Sequence, residues 1–236
     1  MIEGIQKVVK QRGIRRLSHF TPSRNLVHII TDPHGVLSTK NLRENERAVF
    51  NPTDIARLDG LPDHICCSIQ YPNGWYFKKA REKERLFSDW VVLLIHPRHL
   101  WESGTKFCAR NAAAKSGQGV GEGIKAFEAM FAPKVTGAYG KTYDRGPSHP
   151  SWWPTDDQAE ILIPDKVERE DLIGMAVLDE SQAKREAARI EQLRAPALKI
   201  IIAPDFFDAK RLSNKIRSGQ IPKEREFKPG EIYGRE

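Results

Sequence analysis

The sequence contains few cysteines and no long apolar run. Three of its 236 residues are cysteine, Cys66, Cys67 and Cys108, and two of these are adjacent. An odd count argues against a secreted scaffold held by disulfides, and the lack of a Cys-x-x-Cys pair argues against structural zinc. No stretch approaches the roughly 18 apolar residues that a membrane span needs, and residues 1–16 lack the apolar core of a signal peptide. We therefore expect a cytoplasmic protein without a membrane partner.

Motifs that commonly bind phosphate or metal are missing as well. No GxGxxG follows a predicted strand, no GxxxxGK[ST] is present, and the glycine-rich residues 117–123 are better interpreted as a linker. No two histidines are spaced four residues apart, so we expect no metal centre. Asp157, Glu160 and Lys166 faintly resemble a nuclease core. They lack its acid and lysine separated by one residue, so a nuclease is the least favoured function.

What the sequence does have is positive charge and short alternating elements. Lys and Arg total 38 against 31 Asp and Glu, a formal net charge of +7. Strands are predicted over residues 17–21, 64–71, 89–96, 159–164, 172–179 and 198–204. Helices are predicted over residues 25–30, 75–85, 124–131 and 181–194, and residues 1–16 are expected to form a short helix or an arm. Short elements without regular βα alternation favour an α+β fold.

The length suits one domain, and we assign it to residues 1–205. A charged extension follows over residues 206–236, and its composition predicts loose docking. Residues 103–123, rich in glycine and alanine, are expected to form a mobile surface segment. The stretch 133–158 is expected to be a long loop, which is uncommon in a compact domain unless it is functional or disordered.

Aromatic and basic residues interleave in two places. One is the predicted helix at 75–85, with Lys78 and Arg81, and the other is the 133–158 loop, with Tyr143 and Arg145. Single-stranded nucleic acid is held by cations on its phosphates and by aromatic rings under its bases, so this mixture fits such a partner. We expect Trp75 to be a core residue. Trp152 and Trp153 are harder to explain as core, because two adjacent indoles do not readily bury on one side.

Three places in the sequence have residue types suited to catalysis. Glu160 opens an apolar strand after the long loop, where a carboxylate can stabilise a cation or move a proton. His19 and Thr21 alternate onto one face of the first strand, and Arg57 can bind phosphate or carboxylate. Each has an ordinary alternative: a solvent-facing Glu, a hydrogen-bonded His–Thr pair and a solvated Arg.

Four motifs, in this order along the chain, link these candidate residues to one known family. SHFT, RLDG, YPNGWYFKKAR with DWVVLLI, and QAEILI resemble the DarT family, over roughly residues 14–180. Members of that family are toxins of toxin–antitoxin modules that use NAD to ADP-ribosylate bases of single-stranded DNA. The resemblance implies the ADP-ribosyltransferase fold, an α+β core of two small antiparallel sheets with flanking helices that grips NAD in a cleft.

The resemblance also implies roles for individual residues. Glu160 and Arg57 are similar to the catalytic pair, while His19, Thr21 and Asn25 are similar to residues that bind NAD. Gln158 matches the Gln-x-Glu form of the wider superfamily and, with the 140–158 loop, would contact the target. The full set of expected DNA-binding residues is Gln158, Trp152, Trp153, Tyr143, Arg145, Lys78 and Arg81.

The family context implies a partner and leaves the acceptor open. A macrodomain antitoxin similar to DarG would neutralise the toxin, which would act against the cell or against phage. Thymine, guanine or an RNA base could be the acceptor. A non-catalytic module that binds single-stranded nucleic acid is the rival function.

Overall fold

The structure is a computed structural model that describes residues 2–44, 57–84, 86–114, 116–137 and 140–229. The helices are α1 (Ile2–Arg12), α2 (Leu26–Thr31), α3 (Thr39–Glu44), α4 (Gly74–Lys83), α5 (Gly123–Ala129), α6 (Glu180–Gln192) and α7 (Ala209–Arg217). The strands are β1 (Leu17–Pro22), β2 (Val36–Leu37), β3 (His64–Ile69), β4 (Trp90–Ile95), β5 (Lys106–Cys108), β6 (Val120–Glu122), β7 (Lys134–Thr136), β8 (Thr142–Asp144), β9 (Glu160–Pro164), β10 (Lys166–Val167), β11 (Leu172–Val177), β12 (Ile200–Ile202) and β13 (Arg225–Glu226). Among the described helices, none is long and apolar enough to cross a bilayer.

Nine of the strands within the described residues form one sheet, in the order β13-β12-β11-β4-β1-β3-β9-β5-β6. Their pairing is antiparallel except between β11 and β12, which run parallel. Two further pairs, β10 with β2 and β7 with β8, lie outside this sheet. The α+β class predicted from the sequence is confirmed, and the parallel pair is an addition that the sequence did not indicate.

The sheet divides into two halves between β1 and β3. β1 pairs with β4 over its whole length, from Leu17 to Pro22. With β3 it pairs at two positions, Leu17 opposite Ile69 and Ser18 opposite Ser68. Because the strands diverge after Ser18, the remaining residues of β1 face an open fork, and the two halves correspond to the two small sheets expected.

The central strand β4 anchors cores on both faces of the sheet. All six of its residues are buried, as its apolar sequence predicts. Its alternate side chains point to opposite faces. Val91, Leu93 and Ile95 join a cluster on one face, and Val92 and Leu94 join a cluster on the other. The fork is therefore held between two packed layers.

Two segments are more ordered than their composition predicted. Residues 103–123, expected to be a mobile surface segment, contain β5 and β6, and Phe107 and Cys108 are buried there. These strands are three residues each, too short for a periodic signal. The loop at 133–158 likewise contains the β7–β8 hairpin.

The charged extension after residue 205 also packs on the sheet through its described residues. Leu212 and Ile216 of α7 are buried, and β13 pairs with β12. A Cβ atom on Gly74 would lie 3.1 Å from the Cα of Ala209, so α4 and α7 meet backbone to backbone. The loose docking predicted from charge and Pro/Gly content is therefore wrong for residues 206–229.

Candidate active site

A cleft opens where β1 and β3 diverge. The space between its walls, together with the open solvent at its mouth, is about 850 Å³. Its walls come from β1, α2, α3, β3 and the start of α4 and β9. The cleft brings together five residues singled out from the sequence: His19, Thr21, Asn25, Arg57 and Glu160.

Glu160 is the first residue of β9, opposite Cys108 of β5. Its side chain is buried, with 6% exposure, which excludes the solvent-facing alternative. One carboxylate oxygen accepts a hydrogen bond from Asn111 Nδ2 at 3.1 Å, and the other accepts one from the Ala112 backbone N–H at 3.0 Å. The negative charge of Glu160 contributes to raising the pKa of the buried Cys67 thiol, although burial is the larger cause. A fixed carboxylate of this kind suits the stabilisation of a cation.

Asn111 is a functional candidate that the sequence analysis missed. Its Oδ1 accepts the Ala113 N–H at 3.0 Å, which leaves Nδ2 directed at Glu160. The turn that carries it follows β5, inside the segment expected to be mobile. Asn is favoured in such turns because its side chain bonds the backbone two residues on, and that local signal could have marked it.

His19 bridges the fork between the two strands. Its Nδ1 lies 2.8 Å from the Cys66 carbonyl oxygen of β3. Because a carbonyl can only accept, Nδ1 carries the proton and a neutral ring leaves Nε2 as an acceptor. Burial, aided by the charge of Arg57, lowers the pKa of His19. The ring is therefore uncharged at neutral pH.

Thr21 and Asn25 form a buried pair beside His19. Asn25 Nδ2 donates to Thr21 Oγ1 at 2.9 Å. Asn25 ends the short 3₁₀ turn that leads into α2, so the pair ties β1 to that helix. Both side chains line the cleft, on the wall opposite β3.

Arg57 lies at the cleft but is engaged with its own turn. Its guanidinium makes a two-bond contact with the Asp59 carboxylate, at 3.1 and 2.7 Å, and both side chains are at least nine-tenths buried. It also donates to the carbonyl oxygens of Leu61 and His64. These contacts hold the turn that enters β3, so the solvated alternative for Arg57 is excluded.

The chain turns sharply just before Glu160. Ala159 N–H donates to Asp156 O at 3.1 Å, and Gln158 N–H donates to Asp156 Oδ1 at 2.9 Å. Because β9 begins at Glu160, strand alternation does not extend back to Gln158. Alternation along an extended chain therefore does not place Gln158 on the same face as Glu160. Gln158 instead lies near the side chain of Tyr143.

The loop tryptophans differ from expectation. Trp153 is 2% exposed and stacks on His149 at 5.3 Å, so it offers no free face to a base. Trp152 is half-buried and packs edge-on against Tyr71. The backbone N–H of Trp153 donates to Pro150 O, so the loop turns at the two indoles, and each indole packs against a different aromatic partner.

Arg145 holds the same loop rather than facing solvent. It donates to Trp153 O at 2.7 Å, to Pro150 O at 2.6 Å and to Thr155 Oγ1 at 3.2 Å. Burial lowers the pKa of Arg145 to about 10. We therefore correct two expected DNA contacts, Trp153 and Arg145, to structural roles.

Trp75, which the sequence assigned to the core, is exposed instead. It is 41% exposed, and its Nε1 donates to Asp157 Oδ2 at 2.9 Å. The indole thus lies on the turn that leads into Glu160. Lys78 is exposed on the same helix, whereas Arg81 is half-buried and donates to Phe207 O.

Tyr143 lies on the other side of that turn between two cations. The charged groups of Lys141 and Arg217 each lie 5.1 Å from its ring centroid. Arg217 also pairs with Asp157 at 3.2 Å. It comes from α7, in the extension predicted to be loose, so the sequence analysis could not place it here.

One group of side chains elsewhere has metal-like spacing in the described chain: His99, Glu168 and Asp171. Arg98 contacts Asp171 through two bonds at 2.5 Å, and His99 Nε2 lies 3.1 Å from the same carboxylate. This arrangement is an ion-pair network around a guanidinium, and it lies outside the cleft.

Comparison with known proteins links this geometry to one family. A sequence model of the family described as "ssDNA thymidine ADP-ribosyltransferase, DarT" matches residues 18–208. No curated protein matches significantly.

Solved structures with the same fold are distant in sequence. Thermus sp. 2.9 DarT in complex with ADP-ribosylated ssDNA superposes with a TM-score of 0.57 at 13% identity, over 83% of this chain and 97% of that one. The complex of that protein with NAD+ superposes with a TM-score of 0.54 at 14% identity, over 82% of this chain and 97% of that one. Thermosipho africanus DarTG in complex with ADP-ribose superposes with a TM-score of 0.54 at 13% identity. The match covers 82% of the present chain and 51%, about half, of the DarTG chain. At 13–14% sequence identity, the structural similarity establishes that the chain shares this fold.

Proposed function

Because the chain belongs to the DarT family of ssDNA thymidine ADP-ribosyltransferases, whose sequence model matches residues 18–208, we propose that it transfers ADP-ribose from NAD to a thymine base of single-stranded DNA and releases nicotinamide. The observation that carries this proposal is the buried Glu160 carboxylate, oriented by two hydrogen-bond donors in the cleft that also contains His19 and Arg57. NAD is a substrate here, and single-stranded DNA is the second substrate.

Glu160 is proposed as the catalytic residue. Breaking the bond between nicotinamide and ribose develops positive charge at the anomeric carbon, as in glycoside hydrolysis. A carboxylate fixed in a water-poor cleft stabilises that charge without first having to reorganise. Asn111 and the Ala112 N–H hold both oxygens in place. Glu160 would also accept the proton that the attacking base nitrogen loses.

His19, Thr21 and Asn25 are proposed to bind NAD. The neutral His19 ring has its Nδ1 proton committed to Cys66 O, so its Nε2 can accept from a ribose hydroxyl. Thr21 and Asn25 supply hydroxyl and amide groups on the same wall. These neutral groups suit the sugar rather than a phosphate.

Arg57 is proposed to act through position as well as charge. Its contacts with Asp59 and the Leu61 and His64 carbonyls rigidify the entry to β3. Its positive charge lies close enough to help lower the pKa of His19. We therefore retain Arg57 as a catalytic-site residue whose first role is to hold the cleft wall.

The DNA strand is proposed to pass over the turn that precedes Glu160. Trp75 presents an exposed ring there, and Tyr143 lies between Lys141 and Arg217 on the other side. Aromatic rings under bases and cations near phosphates are the usual means of holding single strands. Lys78 adds an exposed cation on the Trp75 helix, and Gln158 lies within the turn itself. Trp152 and Arg81 remain candidates at the edge of this surface.

A macrodomain antitoxin similar to DarG is proposed as the protein partner, and the cytoplasm as the location. The Thermosipho africanus DarTG chain, about twice the length that this chain spans, supports the antitoxin proposal. A count of three cysteines, two of them adjacent in the sequence, agrees with a reducing compartment. Toxicity on expression that a co-expressed macrodomain relieves would test the partner.

The activity is tested by mass spectrometry of short oligonucleotides incubated with the purified chain and NAD. We expect one added ADP-ribosyl group on single-stranded DNA that contains thymine, in buffer with a metal chelator. Oligonucleotides that lack thymine, including guanine-containing DNA and the matching RNA, serve as controls. Modification of guanine-containing DNA or of RNA alone would show that the acceptor is a base other than thymine of DNA. Salt-dependent binding of oligonucleotides without any modification would instead favour the non-catalytic module.

A further inference from the structure

Among the described residues that line the cleft, Asn73 has a buried hydrogen-bond donor without an acceptor. Asn73 precedes α4, is 2% exposed and lines the cleft. Its Oδ1 caps the helix by accepting the Tyr76 N–H at 3.0 Å, and its backbone N–H donates to Ser68 Oγ at 3.2 Å. Its side-chain nitrogen, Nδ2, is buried without a hydrogen-bond partner.

The orientation of this amide is fixed by the cap. Since a backbone N–H can only donate, the atom that faces Tyr76 must be oxygen, and the amide cannot be turned the other way. The helix cap therefore fixes Nδ2 as the unpartnered donor of the amide, in a residue that lines the cleft. Buried polar groups in folded proteins are nearly always paired, so an unpaired donor lining a substrate cleft points to an acceptor on the ligand.

The hydrogen-bond partners of Asn73 are uncharged. They are the Ser68 hydroxyl and the Tyr76 backbone N–H. Two aromatic residues, Tyr76 and Phe20, line the same cleft, with ring centroids 5.8 Å apart. A phosphate would call for a cation or several N–H donors. A neutral amide in a cleft that also contains aromatic rings instead suits a neutral planar group with a carbonyl oxygen.

We propose that Asn73 Nδ2 donates a hydrogen bond to the carboxamide oxygen of the nicotinamide of NAD. This inference rests on the proposed function, and it adds a residue that recognises the leaving group. Asn73 is thus a binding residue that distinguishes NAD from ADP-ribose, which has no nicotinamide.

The test compares two ligands on variants that keep the helix cap. Asn73→Ser retains a capping oxygen and removes the amino group, and Asn73→Asp retains the shape and cap but replaces the donor with an acceptor. Dissociation constants for NAD and for ADP-ribose are measured by calorimetry on the full chain without DNA. Asp208→Ser, at the cap of α7 where Asp208 accepts the Arg211 N–H at 2.9 Å, is the matched control.

We expect Asn73→Ser to weaken NAD binding about tenfold and to leave ADP-ribose binding unchanged. Asn73→Asp should weaken NAD binding further, and it serves as the second variant if Asn73→Ser folds poorly. Asp208→Ser should change neither constant. Equal NAD affinity in both Asn73 variants and the wild type would overturn the inference, and so would an equal loss for both ligands. Failure of the wild-type chain to bind NAD would overturn the proposed function, and this inference with it.

Discussion

Replacement of Asp156 by Asn should stabilise the protein at neutral pH. Asp156 is fully buried in the turn before Glu160. Its Oδ1 accepts the Gln158 N–H at 2.9 Å, while its Oδ2 has no hydrogen-bond partner. Burial, and to a smaller extent the charge of Asp157, raises the pKa of Asp156 to about 6. The native state therefore favours protonation of Asp156 more than the unfolded chain does, and Asn imitates the protonated form.

The direction and the size of the stabilisation expected for Asp156→Asn follow from proton linkage. A carboxyl whose pKa is raised on folding stabilises the native state below the unfolded value, near 3.9, and that stabilisation is lost as the pH rises through about 6. The difference between the two pKa values corresponds to roughly 3 kcal/mol at most. The Asn amino group would take the unpartnered place of Oδ2, so a net gain of ~1–3 kcal/mol at neutral pH is expected.

The assay is denaturant unfolding of the wild type and Asp156→Asn at pH 4.5 and pH 7.5. The gain should be small at the lower pH and reach its full size at the higher one. Asp157→Asn is the matched control, because Asp157 bonds Trp75, Ser213 and Arg217 and its loss should destabilise. An Asp156→Asn variant that is no more stable at pH 7.5, or whose gain does not depend on pH, would refute the reasoning.

Three further changes test the site. Asn111→Ala removes a hydrogen bond to the Glu160 carboxylate; such charged bonds contribute about 1.5–3 kcal/mol, so kcat should fall by ~10–100-fold with a smaller change in KM for NAD. Arg57→Lys breaks the two-bond contact with Asp59 and should lower the free energy of unfolding by ~1–3 kcal/mol, measured with denaturant. Trp75→Ala removes one base-stacking ring and should weaken affinity for thymine oligonucleotides by ~5–100-fold, measured by fluorescence anisotropy.

Each of these has an outcome that would contradict it. An unchanged kcat for Asn111→Ala would mean that the Ala112 N–H alone positions Glu160. An Arg57→Lys variant as stable as the wild type would remove the structural role given to Arg57. Trp75→Phe keeps an aromatic ring but loses the bond to Asp157, so it should retain most of the DNA affinity; if it binds as poorly as Trp75→Ala, the bond matters rather than the stacking.

The sequence predicted the parts of the fold that have a clear pattern. The apolar run of β4 predicts a buried central strand, and the alternation of His19 and Thr21 places both in one cleft. The join between loop and strand at Glu160 was located correctly. These predictions depend on short-range periodicity, which the finished fold preserves.

What the sequence could not predict depends on contacts distant in the chain. Trp75 and Trp153 exchange the expected roles because exposure is decided by which elements pack nearby, not by local composition. Arg217 reaches the turn before Glu160 from α7, 60 residues further along the chain from the Asp157 that it contacts. The partner of Glu160, Asn111, lies 49 residues away, so no local pattern links them.

The central claim is that the Glu160 carboxylate drives transfer of ADP-ribose from NAD. The direct measurement is the single-turnover rate of ADP-ribosylation of a thymine oligonucleotide by the wild type and by Glu160→Gln, with NAD affinity measured alongside. We predict a rate lower by ~100-fold or more for Glu160→Gln, with NAD bound within a few-fold of the wild type. A Glu160→Gln variant that modifies the oligonucleotide at close to the wild-type rate would contradict the account.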